Sequence, residues 1–243
     1  VLKKQKKELK PIDLKKVKTY SIKKRKNLFK SEQFGKPIES KDFNKFIDSL
    51  PKILAANDLR NVIDNIVKAH RKNRPVVLAL GAHVIKCGLS PLVIDLMKRG
   101  IITAVAMNGS GAIHDYEISL IGETSEDVSH SLKDGSFGMA KETAEAIQAA
   151  ASVPDSGLGR ALGNKILKDK NKHRKDSILA VGAQLKIPVT VHVAVGTDII
   201  HMHPCVSGSD IGESSHIDFK LLCSVVAGLE GGVWLNVGSA VIM

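Results

Sequence analysis

Apolar residues along this chain recur in two rhythms, and the change from one to the other marks out an α/β organisation. Pro75–Leu80 is a short apolar run closed by Gly81, the pattern of a buried strand. Ser90-Pro91 reads as an N-cap followed by proline at the first helical position. Leu92, Leu96 and Met97 then fall along one helical face, and Gly100 stands where a helix C-terminal glycine belongs. Ile101–Met107 is a second apolar run. The stretch Pro75–Asp115 is therefore a β-α-β unit whose two strands are expected to be parallel and buried.

The same reading extends in both directions. Ser40 opens a helix with Phe43, Phe46, Ile47 and Leu50 at helical spacing, and Leu59–His70 forms another with Val62, Ile63, Ile66 and Val67 as its apolar face. Both are expected to cover an edge or a face of the sheet. Downstream, His114–Gly122 reads as a short helical turn, Thr124–Asp127 resembles a capping box, and Asp134–Gly138 is a turn cluster. Met139–Ala151, Leu158–Lys168 and Ser177–Leu185 are helical, with a solvated basic loop at Asp169–Lys175. Pro188–Val195 is a strand. A Ser/Gly-rich loop, Ser207–Ser215, leads into a helix over His216–Leu229, and Gly232–Val237 is a last strand. Strands alternating with helices predict a doubly wound, mostly parallel Rossmann-like sheet. It occupies residues 41–243 as a single α/β domain, preceded by a basic arm over residues 1–40.

Charge changes this picture only at the N-terminus. Residues 1–30 hold 13 of the 36 Lys and Arg residues but only 2 of the 25 acids, so the remainder carries 23 of each sign and is neutral. The arm reads as a solvated segment. Without interleaved aromatic residues, nucleic acid is not an expected partner, although a non-catalytic module binding partners through this arm is the third reading of the chain. Three scattered cysteines, Cys87, Cys205 and Cys223, suggest no disulfide framework and a reduced, cytoplasmic setting. No stretch is apolar for long enough to span a bilayer. The chain begins at Val1 and ends at Met243 directly after an apolar run, so the natural protein is expected to continue, leaving the domain incomplete at its C-terminus.

Candidate chemistry gathers at the strand ends. In a parallel sheet four polar loops meet along the C-terminal edge: Gly81–Gly88, Asn108–Asp115, Gly196–His203 and Gly238-Ser239. The dinucleotide fingerprint is incomplete, since Gly109-Ser110-Gly111 supplies only its first half. His201, His203 and Cys205 recur at alternating positions and would face one way on an extended segment. A metal-dependent enzyme built on them is the alternative reading, although Pro204 bends the segment and a polar pocket is favoured over a metal. The hydroxyl-rich loop Ser207–Ser215 reads either as a substrate loop or lid, whose Asp210 and Glu213 attract a cationic amine, or as a surface loop.

The spacing Ala82-His-Val-Ile-Lys-Cys-Gly88, then a helix and strand, then Gly109-Ser-Gly-Ala-Ile-His-Asp115, resembles the deoxyhypusine synthase family and its bacterial relatives. Ile187-Pro188, Thr197-Asp198 and the glycine-bearing strand Val233–Ser239 extend the resemblance over roughly residues 55–243. It implies NAD as cofactor, held by Ala82, His83, Asn108, Gly109, Ser110, Gly111, Thr197, Asp198, Gly238 and Ser239. It also implies an aminobutyl-type transfer from a polyamine donor to an amine acceptor such as a protein lysine, in a homotetramer. His114-Asp115 matches a pair that is acidic in the eukaryotic enzymes, so the change to His removes a charge that would bind spermidine. The family's Gly-Ser-Leu-Gly-Asp is replaced by Ile-Ile-His-Met-His. Its catalytic lysine would fall beyond Met243, and Lys86 is a poor stand-in because its loop belongs to the cofactor side.

Oxidising an amine needs a hydride acceptor, a base and a trap for the imine. His114 is the first candidate base, with His201 and His203 behind it. A structural role capping a helix is an equal reading of His114. We take His114 and Asp115 as the catalytic candidates, and His201, His203 and Asp210 as substrate candidates.

Overall fold

The computed structural model of the chain describes residues 31–33, 35–37, 41–133 and 135–240. The basic arm over residues 1–30, the helix start at Ser40, the turn residue Asp134 and the chain end at Met243 lie outside the described residues. The chain divides into two compact units, Val1–Arg60 and Asn61–Met243. In the first, α1 (Phe43–Ser49) starts at Asp42, whose carboxylate accepts the Asn44 N–H at 2.9 Å. Arg60 donates to the carbonyls of Ile47 and Leu50 at 2.7 and 2.8 Å, satisfying acceptors that the end of α1 leaves open. The boundary between the units lies within α2 (Leu54–Arg71).

The second unit is built on four strands, β1 (Val76–Leu80), β2 (Ala104–Asn108), β3 (Val189–His192) and β4 (Val233–Val237). They form one all-parallel sheet in the order β3-β2-β1-β4. The chain steps outward from β1 to β3, then returns to set β4 on the other side of β1. That reversal makes the fold doubly wound, as expected, and puts its switch point between β1 and β4. Every residue of β1 is buried, which is why the segment reads as an unbroken apolar run rather than an alternation.

Between the strands lie α3 (Ala82–Lys86), α4 (Ser90–Lys98), α5 (Gly109–Ile121), α6 (Val128–Ser131), α7 (Lys141–Ala151), α8 (Leu158–Lys168), α9 (Ile178–Leu185) and α10 (Gly208–Ala227). The core joins β3 to α8 and α9 through fully buried Leu162, Ile166, Ile178, Leu179 and Val191. Burying each such side chain stabilises the fold by about 2 kcal/mol before conformational entropy is counted. Gly159 lets α8 rest directly on β3: a Cβ there would lie 2.0 Å from the Val189 carbonyl oxygen.

Several expectations are corrected. Ser90 does not cap α4; it lies inside the helix, buried, and Leu89 holds the N-cap position. The buried face of α4 is Val93, Ile94 and Met97, while Leu92 is exposed. Gly100 does adopt φ 67°, ending α4 as its position suggested. Asp127 rather than Thr124 caps α6, accepting the His130 N–H at 3.2 Å. Ser207–Ser215 is not a loop but the N-cap and first two turns of α10. Gly81–Gly88 and Asn108–Asp115 likewise fold largely into α3 and the start of α5. Of the face assigned to α2, Val62, Ile63 and Val67 are exposed and Ile66 is half-buried, and α1 buries no residue.

Candidate functional site

Beyond the C-terminal ends of β2 and β3 lies a cavity of about 650 Å³. One wall is a single face of α5, where Ser110, His114, Glu117 and Ile121 recur at helical spacing. Described residues of the segment joining α5 to α7, between Glu123 and Val128 and between Phe137 and Ala140, form another wall. The start of α7 adds Thr143, the turn after β3 adds Thr197 and Asp198, and Lys86 of α3 reaches the rim.

The start of α5 is locally determined. Asn108 ends β2 in an extended conformation, and its side-chain oxygen accepts the Gly111 N–H at 2.9 Å, an N-cap in its ordinary form. Gly109 admits the Asp198 carboxylate, since a Cβ at that position would lie 2.2 Å from Oδ2. The same oxygen accepts the Ala194 N–H at 3.0 Å, fixing Asp198 over the helix start. At the other end Gly122 takes φ 80° and turns the chain out of the helix.

Inside the cavity three side chains make a hydrogen-bond relay. His114 Nδ1 lies 2.6 Å from Thr124 Oγ1, and Thr124 donates its hydroxyl proton to Glu117 Oε2. Thr143 donates to the other carboxylate oxygen, Oε1, at 3.2 Å. A threonine hydroxyl has one proton, and here Glu117 takes it. Thr124 can then only accept from the ring, which assigns the proton to His114 Nδ1 and leaves Nε2 with a free lone pair. Burial pushes the Glu117 carboxyl up, but the nearby His114 ring together with the hydroxyls of Thr124 and Thr143 outweighs it and holds the group below its ordinary value. Glu117 therefore stays anionic. Three further carboxylates, Glu123, Glu126 and Asp198, line the cavity against Lys86, so its field favours a cation.

His114 and Asp115 are parted by this geometry. Asp115 points into the core on the far side of α5, fully buried. It accepts from Ser177 Oγ at 2.5 Å and from the Ile178 and Leu179 N–H groups at 2.8 and 3.1 Å, capping α9. Burial raises its pKa to about 6 against those three hydrogen bonds. Asp218 of α10 ties α8 to β3 in a similar way. Its Oδ2 accepts the Gly159 and Val191 N–H groups, both at 2.8 Å, while Oδ1 is buried without a partner. Burial raises its pKa to about 6 as well, the two backbone hydrogen bonds opposing.

Of the other candidates, Ser110, Thr197 and Asp198 join His114 in the cavity. Asn108, Gly109 and Gly111 shape the helix start beneath it without lining it. Ala82, His83, Gly238 and Ser239 belong to the switch point between β1 and β4. There Gly81 donates to the Val237 carbonyl at 3.1 Å, and a Cβ on Gly81 would meet the Gly238 oxygen at 2.1 Å, so the chain's own backbone fills the crevice. Asp210 is held by Gln148 and Ser152 at 2.6 and 2.8 Å, in the first turn of α10. His201 lies in a 3-10 turn, Ile199–Met202, with Nε2 buried and unpartnered, and His203 Nδ1 accepts the Cys205 N–H at 3.3 Å. The turn removes the extended geometry on which the metal reading rested, and no group of three or more His, Cys, Asp or Glu side chains among the described residues could hold a metal ion.

Glu117, Thr124 and Thr143 enter the site from the structure alone, while Lys86, set aside as a stand-in for the family's lysine, reaches the rim. Glu117 carried a signal, three residues after His114 on a helix and therefore on its face. Thr124 and Thr143 carried none, because they approach from other segments.

No protein-family model and no curated protein matches the chain. Among solved structures it is similar to a candidate deoxyhypusine synthase from Entamoeba histolytica, with 13% identity and a TM-score of 0.47 over 78% of each chain. It is also similar to a candidate LOR/SDH protein from Methanococcus maripaludis S2, with 16% identity and a TM-score of 0.41 over 78% of this chain and 50% of that one. Among the described residues no helix is long and apolar enough to cross a membrane.

Proposed function

We propose that the protein is an NAD-dependent transferase of the deoxyhypusine synthase type, acting on a cationic amine, with His114 as the base. The observation that carries this reading is the Glu117–Thr124–His114 relay opening into a carboxylate-lined cavity. The field of the cavity draws in an ammonium group. Imidazole is the side chain best suited to exchanging a proton near neutral pH, and the relay leaves Nε2 as the acceptor. Glu117 then stabilises the imidazolium through Thr124 as the ring gains charge.

NAD enters through the resemblance of the sequence to that family, and when bound it supplies a hydride acceptor. The residues present fit its ribose: the Asp198 carboxylate stands over the start of α5, where Gly109 leaves room, beside the hydroxyls of Ser110 and Thr197. A carboxylate beside a glycine turn is suited to accepting ribose hydroxyls. The packed crevice at Gly81 and Gly238 offers no comparable room, so we confine the cofactor assignment to Ser110, Thr197 and Asp198. The amine acceptor, a protein lysine in the family, together with the homotetramer, the cytoplasmic setting and the assignment of residues 41–243 as the NAD-binding domain, belongs to the same proposal.

The test is titration of the purified protein with NAD, followed by assay of NADH formation with a panel of polyamines and diamines. We expect the wild type to bind NAD and reduce it in an amine-dependent way. His114→Ala is expected to bind NAD with unchanged affinity and to lose at least about 100-fold in amine-dependent rate. A wild-type protein that binds neither NAD nor any of these amines would remove the reading.

A further inference from the structure

We infer that Thr124 couples closure of the segment over residues 122–140 to the activity of His114 as a base. Closure holds the ring in the Nδ1–H tautomer, and Nε2 is an acceptor only while the segment lies in place. The inference rests on the proposed role of His114.

Both ends of the relay belong to α5, yet α5 alone does not complete it. His114 Nδ1 and Glu117 Oε2 are 3.8 Å apart, too far for a hydrogen bond. The Thr124 hydroxyl fills that gap, and it is supplied by the segment that walls the cavity. The segment has the character of a movable strap. Gly122 and Gly138 near its two ends take φ 80° and 77°, a region that glycine enters without cost. Ser131 is its one buried residue among those described, whereas Val128 and Leu132 are exposed. Few buried contacts mean a low cost of local opening. Besides the relay, Gly138 rests on Ile199 so closely that a Cβ would lie 2.3 Å from Cδ1, and Glu126 accepts the Gly138 N–H at 2.7 Å, tying the strap to itself.

When the strap lifts, Thr124 leaves, and Glu117 Oε2, 3.8 Å from Nδ1, is beyond hydrogen-bond reach without a change of rotamer. The ring is then free to carry its proton on Nε2, where the lone pair is needed. An open cavity exchanges substrate with an idle base, and a closed one restores the base by the same movement that excludes water. Thr124 is thus a positioning residue that acts through His114.

Nitrogen-15 NMR of the histidine side chains tests this without substrate or cofactor, with the His114 signals assigned by their loss in His114→Gln. The wild type is expected to show His114 as the neutral Nδ1–H tautomer. Thr124→Val, which keeps the shape and removes the hydroxyl, is expected to shift it to a mixture dominated by Nε2–H. Thr124→Ser is expected to keep the wild-type tautomer. Gly138→Ala changes no relay residue, but its Cβ meets Ile199 and its backbone is held at φ 77°, so it strains the seat of the strap and is expected to behave like Thr124→Val. In turnover, Thr124→Val should lose about 10-fold or more in kcat/KM while Thr124→Ser retains most of it. A wild-type tautomer in Thr124→Val overturns the inference, and a wild-type tautomer in folded Gly138→Ala overturns the coupling to the strap. A wild type with the Nδ1–H tautomer but no amine-dependent NADH formation removes the proposed function and leaves the relay standing.

Discussion

Asp115 illustrates how much one buried side chain can organise. Its carboxylate satisfies a hydroxyl and two backbone N–H groups at the start of α9, so its removal leaves three donors without partners in the core. We expect Asp115→Ala to destabilise the protein by about 3 kcal/mol, read as a lower denaturation midpoint with the slope unchanged. Asp115→Asn, which keeps one acceptor oxygen, should cost clearly less. A loss under about 1 kcal/mol in the alanine variant would mean that water takes over the cap. His114, its neighbour in the chain, lies about 100° further round the helix and faces the cavity. Periodicity could not separate the two beforehand, because Gly109-Ser-Gly111 reads as a loop and hides where the helix begins. Glycine weakens a helix by roughly 1 kcal/mol on propensity alone. Here the close approach of Asp198 to Gly109 outweighs that preference.

At the scale of elements, local patterning was most reliable where packing and propensity agree. The bounds of α8 match the sequence reading, and Ser177 caps α9 by accepting the Ala180 N–H at 3.0 Å. The Ser/Gly-rich stretch before His216 misled because its composition favours loops. In the structure Ser207 is the N-cap and Ile211, Ser214 and Ser215 are buried against neighbours, which draws the segment into α10. The pattern also could not reveal how closely α8 approaches β3. That approach depends on Gly159, so Gly159→Ala must push the helix off the strand. We expect a destabilisation of about 3 kcal/mol or more, measured by urea unfolding, against less than about 1 kcal/mol for Arg160→Ala on the exposed side of the same helix.

For the molecule as a whole, three buried titratable groups set a pH dependence. Asp115 and Asp218 have folded pKa values raised to about 6 from 3.8, mainly by burial. Each contributes stability that is fully present below its unfolded value and is lost as pH rises through about 6, a change of roughly 3 kcal/mol per group. His192, beside Thr190 at the end of β3, is lowered to about 4 from 6.5 by burial. Its contribution runs the other way, present above 6.5 and lost as pH falls through about 4. Two acids against one histidine leave a net gain on acidification. Denaturant melts should therefore show higher stability at about pH 5 than at pH 7, and Asp218→Asn should flatten the difference. Equal stability at the two values would show that the acids are better solvated than their burial indicates.

The sequence by itself determined the succession of strands and helices, the parallel character of the sheet and the place of His114 near its C-terminal edge. These follow from periodicity and chain order, which are local properties. Only the tertiary structure decided that His114 and Asp115 serve opposite faces, that the metal-like histidines sit in a tight turn, and that Thr124 and Thr143 complete a relay around Glu117. Such partners converge from segments whose approach is set by packing, and no spacing along the chain records it.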